Sequence, residues 1–236
     1  MPVNLTVPGS LPMLGLSDSR RISRTLAAIG LVLGPLLFLL DTLIDPAWAD
    51  DDAAYLAEVA GHKGRYVIAE LASTLGALIW IVGMIGVMRL LRRRRVTPGQ
   101  LAAGVVSVGL IGLTASFAFS VFDLAMADFE NRGAMVQLHA ELGDSFAYKA
   151  YWLTFFSAGT VLGLILLAVA LLRQRIVPLW SPILLILASI FWHVAGGERV
   201  TDALALLMLT AALAPLAARI WSLSDEDWAR WEVPLE

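Results

Sequence analysis

Apolar residues cluster along the chain into six runs, each near 20 residues, separated by short polar stretches. Because an α-helix rises 1.5 Å per residue, about 20 apolar residues cross a hydrocarbon layer of about 30 Å. The pattern predicts an all-α integral membrane protein: a six-transmembrane-helix bundle with short amphipathic helices in its outer loops. The predicted membrane-spanning helices cover residues 25–44, 66–91, 101–122, 150–172, 177–195 and 200–220.

The two ends of the chain differ from this apolar centre. Residues 1–20 contain three prolines and two glycines without a helical period, which is typical of a flexible leader. Residues 222–236 predict a short interfacial tail helix, for which Ser224 is the candidate N-cap. The six-helix domain is therefore expected at residues 21–221.

A signal peptide is the competing interpretation of the first apolar run. Ala47-Trp48-Ala49 has the small-x-small form of a cleavage site. The apolar stretch of about 19 residues is, however, longer than the 7–15 residues of a signal-peptide core. We therefore predict a retained first helix.

Orientation follows from the positive charges. Twelve of the 17 lysines and arginines fall on the side that includes the leader and the arginine run 92–95, and five fall on the other side. Because positive residues stay on the cytoplasmic side of a membrane, both termini are predicted to be cytoplasmic. The expected location is multi-pass in a cell membrane, and specifically a bacterial inner membrane.

Composition excludes several classes of function. Charged residues make up 16% of the chain and the mean hydropathy is +0.76, whereas a soluble domain carries about 25% charged residues. The chain contains no cysteine, which excludes disulfides, thiolate catalysis and iron–sulfur clusters. The net charge of −3 and the lack of a basic face argue against a nucleic-acid partner.

Ionisable groups concentrate on the predicted outer side, which carries fourteen of the 20 acids and all three histidines. An ionisable side chain at membrane depth costs about 2.5–3.5 kcal/mol, so it is expected to face the bundle interior or a wet cavity. Five such groups, on five different helices, lie at one level, and Glu70 is the deepest of them. The candidate catalytic residues are Glu70, Asp41, Asp123, His193 and Asp202.

Aromatic residues on the third and fifth predicted helices reach the same level. They would form an apolar wall for a lipid-like substrate, and their ring faces could stabilise a cationic intermediate. The candidate substrate-binding residues are Phe117, Phe119, Phe122 and Trp192.

Metal and cofactor chemistry have little support in the sequence. The three histidines lack the HExxH spacing or any other diagnostic ligand spacing, so no metal site is assigned. His139 and Glu141 are two residues apart, which points them away from each other on a helix. The sequence identifies no cofactor.

Gly159 and Gly163 form a small-xxx-small pattern that lets another helix approach closely. The partner helix could belong to the same chain or to a second copy in a homo-oligomer. Membrane lipids and a lipid-like small molecule are the other expected partners.

Three functions agree with these features. The first is a membrane-embedded enzyme or binding protein that acts on a lipid or isoprenoid by acid–base chemistry. The second is a structural or accessory membrane subunit. The third is a small proton- or cation-coupled transporter, although the chain lacks the polar midplane typical of alternating-access carriers.

Overall fold

The computed structural model describes residues 16–49, 51–92, 97–194 and 198–229, and nearly all of them are helical. The helices are α1 (Leu16–Ile44), α2 (Asp52–Gly61), α3 (Lys63–Leu90), α4 (Pro98–Ala115), α5 (Phe117–Asp128), α6 (Arg132–Asp144), α7 (Phe146–Trp152), α8 (Gly163–Gln174), α9 (Trp180–Val194), α10 (Arg199–Ser222) and α11 (Asp225–Ala229). A π-helical segment, Leu153–Leu162, joins α7 to α8.

Five of these helical stretches are long and apolar enough to cross a membrane, which confirms the all-α membrane bundle. They are Ser19–Ile44, Lys63–Leu90, Pro98–Asp128, Phe146–Gln174 and Arg199–Ser222. The remaining predicted span is present as α9, which is apolar but only 15 residues long. At 1.5 Å per residue α9 extends about 22 Å, less than the thickness of the hydrocarbon layer.

Two of the predicted helices are less regular than the apolar pattern suggests. The predicted helix at residues 101–122 is divided into α4 and α5 at Ser116, whose hydroxyl donates to the Leu113 carbonyl at 2.6 Å. Such a bond from a side chain to the preceding turn competes with the helical ladder and bends helices. The predicted helix at 150–172 contains the π-helical segment, where the Thr160 hydroxyl donates to the Phe155 carbonyl at 3.1 Å.

Glycines permit the closest helix contacts in the bundle. Along the α1–α3 contact, a Cβ added to Gly83 would lie 2.9 Å from the Gly30 carbonyl carbon. Where α4 meets the π-helical segment, a Cβ added to Gly159 would lie 2.6 Å from the Cα of Gly109. Gly163 is also buried against α4, and a Cβ added to it would lie 3.0 Å from the Val106 backbone nitrogen. The Gly159 and Gly163 face is therefore occupied by a helix of the same chain.

Short helices cover one end of the bundle, which we call the acidic end; it is the end where α1 finishes and α10 begins. Asp51 caps α2 by accepting from the Ala54 N–H at 3.0 Å. Asn131 caps α6 in the same way, and α2 and α6 both pack against α5. Asp50 lies outside the described residues.

At the opposite end, α11 packs against the bundle through one tryptophan. Trp228 is 3% exposed and donates from its Nε1 to the Ser23 hydroxyl at 2.9 Å. The guanidinium carbon of Arg89 lies over the indole, 4.8 Å from the ring centroid. Ser224 caps this helix by accepting from the Asp227 N–H at 3.0 Å, as predicted. The leader up to residue 15, the arginines 93–95 and the tail after residue 229 lie outside the described residues.

The glycine contacts of α4 support a paired substitution. Gly109→Ala places a methyl group 2.5 Å from the Thr160 backbone nitrogen, so the helices must separate. We expect a loss of about 1–3 kcal/mol in the free energy of unfolding, measured as a fall in Tm in a mild detergent.

The matched control is Gly104→Ala, where nothing lies within 4 Å of the added Cβ. The control should leave Tm unchanged or slightly raised, because alanine favours a helix over glycine. Equal effects of the two changes would contradict the close-contact account.

Candidate functional site

A cavity of about 320 Å³ lies inside the acidic end of the bundle, and we call it the acidic cavity. Four helices contribute one carboxyl group each to its lining: α1, α3, α5 and α10. These groups are Asp41, Glu70, Asp123 and Asp202. The rest of the lining is largely aromatic, with rings from α1, α5, α7, α9 and the π-helical segment. A polar site with an aromatic wall therefore forms at the level that the sequence predicts.

The structure brings together six of the nine candidate residues. Besides the four carboxyls, Phe119 and Trp192 line the acidic cavity. Phe122 lines an adjacent groove instead. Phe117 is half-buried and lines neither space. His193 is exposed, although its ring centroid lies 6.1 Å from that of Phe156 in the cavity wall.

Several polar atoms in the cavity wall have no hydrogen-bond partner among the described residues. The Oδ1 atoms of Asp41 and Asp202 are buried acceptors of this kind, and the Nε1 atom of Trp48 is a buried donor. Asp41 also experiences the charges of Glu70 and Asp202. Because an unpartnered buried polar atom costs about 1–3 kcal/mol, a polar partner within the cavity would stabilise these groups.

Asp123, by contrast, is well supplied with donors. Its Oδ2 accepts from the phenol hydroxyls of Tyr55 at 3.1 Å and Tyr66 at 3.0 Å. His139 lies on the other side, with its Nε2 3.6 Å from Asp123 Oδ1 and its Nδ1 2.6 Å from Asp52 Oδ1. The imidazole ring stacks on Tyr55 with centroids 5.1 Å apart. A chain of titratable groups thus runs from Asp52 to the acidic cavity.

This chain of groups was not predicted from the sequence. Tyr55 lies on α2 and His139 lies on α6, in two separate loops, so no local spacing relates them to Asp123. The amphipathic pattern around His139 predicted a surface helix, and α6 is that helix. The missing information was that α2 and α6 fold over α5.

Positive groups near the acidic cavity are engaged elsewhere. Arg199 donates from Nη2 to the Asp45 carbonyl at 2.7 Å, and its guanidinium lies 5.8 Å from the Trp48 ring centroid. Arg65 donates to the Ile44 carbonyl. Neither arginine lines the cavity, so the four carboxyls have no basic residue opposite them in the described lining.

Burial also changes the titration of groups beside the spans. Burial raises the pKa of Tyr55 far above its ordinary value, and the neighbouring Tyr66 and Asp123 raise it further, so the phenol stays protonated and can donate. Burial likewise raises the pKa of Asp45, while the Ala47 N–H, which donates to Asp45 at 2.9 Å, opposes this rise.

An apolar groove of about 520 Å³ adjoins the acidic cavity between α5, α6 and α7. Phe122, Met126, Leu142, Ala147 and Tyr151 belong to its lining. Four residues line both spaces and so form their common boundary: Tyr55, Phe119, Asp123 and Tyr148. The groove and the cavity therefore adjoin along these four residues.

Metal ligation has no compact site in the part of the chain that the structure describes. No group of three or more histidine, cysteine or acidic side chains there is close enough to hold a metal ion. The four carboxyls are distributed around the cavity wall.

Comparison with known proteins places the chain in a family. No curated protein and no solved structure matches it. Residues 25–224 match the family described as a domain of unknown function, DUF4386. The matched stretch includes every residue that lines the acidic cavity and the apolar groove. The chain therefore belongs to the DUF4386 family.

Proposed function

We propose that the chain is a membrane-embedded enzyme or binding protein that takes an amphiphilic lipid or isoprenoid molecule and acts on it by acid–base chemistry. One observation gives the main support for this proposal. Four carboxyls from four helices line a cavity with aromatic walls, and the cavity shares part of its lining with an apolar groove.

The dimensions suit an amphiphile. A volume of about 320 Å³ corresponds to about ten water molecules at roughly 30 Å³ each, which is the size of a headgroup. The groove of about 520 Å³ offers apolar and aromatic side chains to a hydrocarbon chain. Polar and apolar parts of one ligand would thus find matching surroundings in neighbouring spaces.

The carboxyls are suited to proton transfer. A carboxyl group serves as a general acid or base when a substrate atom lies within hydrogen-bond reach, and such a group contributes about 10²–10⁴-fold to a rate. Asp41 and Asp202 each turn an unpartnered oxygen inward. Asp123 is oriented by two phenol hydroxyls and connects through His139 to Asp52.

The orientation is part of the proposal. The distribution of lysine and arginine supports cytoplasmic termini in a cell membrane, specifically a bacterial inner membrane, with the acidic end outside. The substrate would then enter from the outer leaflet.

Catalysis is tested by Glu70→Gln, which removes the charge and proton transfer but keeps the shape. We expect cells that express the wild-type chain to show an altered lipid profile, and the variant to lose about 10²-fold or more of that conversion with unchanged Tm. Mass spectrometry of membrane lipid extracts measures the change.

The matched control for this variant is Glu130→Gln, at an exposed position outside the cavity and the groove. It should behave as the wild type. Full conversion by Glu70→Gln would contradict acid–base catalysis by this residue and would favour an accessory subunit.

Ligand retention is tested by filling the groove with Ala147→Trp. Native mass spectrometry of the wild-type chain should show one retained amphiphile, and the variant should lose most of it because the indole occupies the space for the chain. The control is Phe146→Trp, one residue away, 87% exposed and outside the groove. A wild-type protein that retains no amphiphile would contradict the proposed function.

Orientation is tested with single cysteines, which the natural chain permits because it contains none. A membrane-impermeant maleimide added to intact cells should label Asp144→Cys, whose parent side chain is 85% exposed at the acidic end. Ser222→Cys, at the opposite end, should be labelled only after the cells are opened. The reverse pattern would overturn the proposed topology.

A further inference from the structure

The charged side chains in the described lining of the acidic cavity are all acids. Four carboxyls line it, and no lysine, arginine or histidine does so in the described lining. Carboxylates that share a site repel each other, and the site becomes favourable when it takes up protons or a cation. The lining therefore selects against an anionic ligand.

Unpartnered polar groups face the same space. The Oδ1 atoms of Asp41 and Asp202 are buried and lack a partner within the described chain. Thr42, which is 5% exposed, also lines the cavity. Two carboxyl oxygens, from the neighbouring helices α1 and α10, thus lie in the lining without a partner in the described chain.

Aromatic rings form the remaining wall. The Phe156 ring packs edge to face against Trp192 at 4.9 Å and against Trp152 at 5.9 Å between centroids. Trp48 and Phe119 add two further rings to the lining. A cation held against aromatic faces gains about 2 kcal/mol or more when it is desolvated, and quaternary ammonium groups are recognised in this way.

A bare metal ion fits this site poorly. The volume of about 320 Å³ far exceeds what an ion ligated directly by protein oxygens occupies. Within the described ranges no three ligating side chains are grouped closely enough to surround an ion. An organic cation, by contrast, would fill the volume and contact both the carboxyls and the rings.

We propose that the acidic cavity binds the ammonium headgroup of a cationic amphiphile whose hydrocarbon chain lies in the apolar groove. This inference rests on the proposed function and specifies its ligand class. The headgroup lies between Asp41 and Asp202, and the rings of Trp192 and Phe156 cover it.

Three probes with the same chain length test the inference: dodecyltrimethylammonium, dodecanol and dodecanoate. Each is added at equal concentration to the full-length protein in nanodiscs of neutral lipid, and native mass spectrometry measures the bound fraction. We expect the ammonium probe to bind about 30-fold more tightly than the alcohol, which corresponds to the strength of a desolvated cation–π contact, and the carboxylate to bind most weakly.

The double variant Asp41→Asn with Asp202→Asn should reduce ammonium binding by about tenfold and leave alcohol binding unchanged. Asp144→Asn, an exposed acid outside both spaces, is the matched control and should leave all three affinities unchanged. If the double variant fails to fold, the ranking of the three probes on the wild-type protein decides the question.

The outcomes separate this inference from the proposed function. Equal binding of all three probes, or preference for the carboxylate, overturns the ammonium site but keeps an amphiphile-binding protein. Failure of all three probes to bind overturns both.

Discussion

Hydrocarbon solvates neither a carboxylate nor a broken backbone hydrogen bond, and this constraint organises the bundle. Each acid near the ends of α1, α3, α5 and α10 must meet water or another polar group, and all four turn toward one shared space. Asp123 is satisfied by two phenols, whereas Asp41 and Asp202 keep a buried oxygen without a partner in the described structure. In the acidic cavity the described residues thus meet this requirement only in part.

The irregular backbone lies where this constraint permits it. Broken helices within a membrane are tolerated where protein covers them or where they border a cavity. Ser116, at the break between α4 and α5, lines the acidic cavity, and the π-helical segment contributes Phe156 to the same wall. Away from this level, glycine contacts such as Gly83 on Gly30 let the regular helices α1 and α3 approach closely. Close packing of regular helices thus supports the acidic end, where the helical backbone is irregular.

The sequence predicts the membrane helices and the level of the acids because both follow from length and from the cost of burial. It predicts side-chain direction less well at helix ends. Successive helical residues are rotated by about 100°, so when Trp192 faces the cavity its neighbour His193 faces away. The partners of Asp123 could not be predicted, because Tyr55 and His139 reach it through contacts between separate loop helices. Local patterns contain no information about that tertiary arrangement.

Asp123 has a distinct position among the four carboxyls of the described lining, because it borders both the acidic cavity and the apolar groove. A bound amphiphile would place the junction between its headgroup and its chain at this boundary. Exposure increases along the chain of groups behind it, from 13% at Asp123 to 24% at His139 and 40% at Asp52. This chain of groups, of which His139 also lines the groove, would connect the junction to water. In the proposed function, Asp123, which two phenols orient, would transfer the proton, while Asp41 and Asp202 would hold the charge of the headgroup.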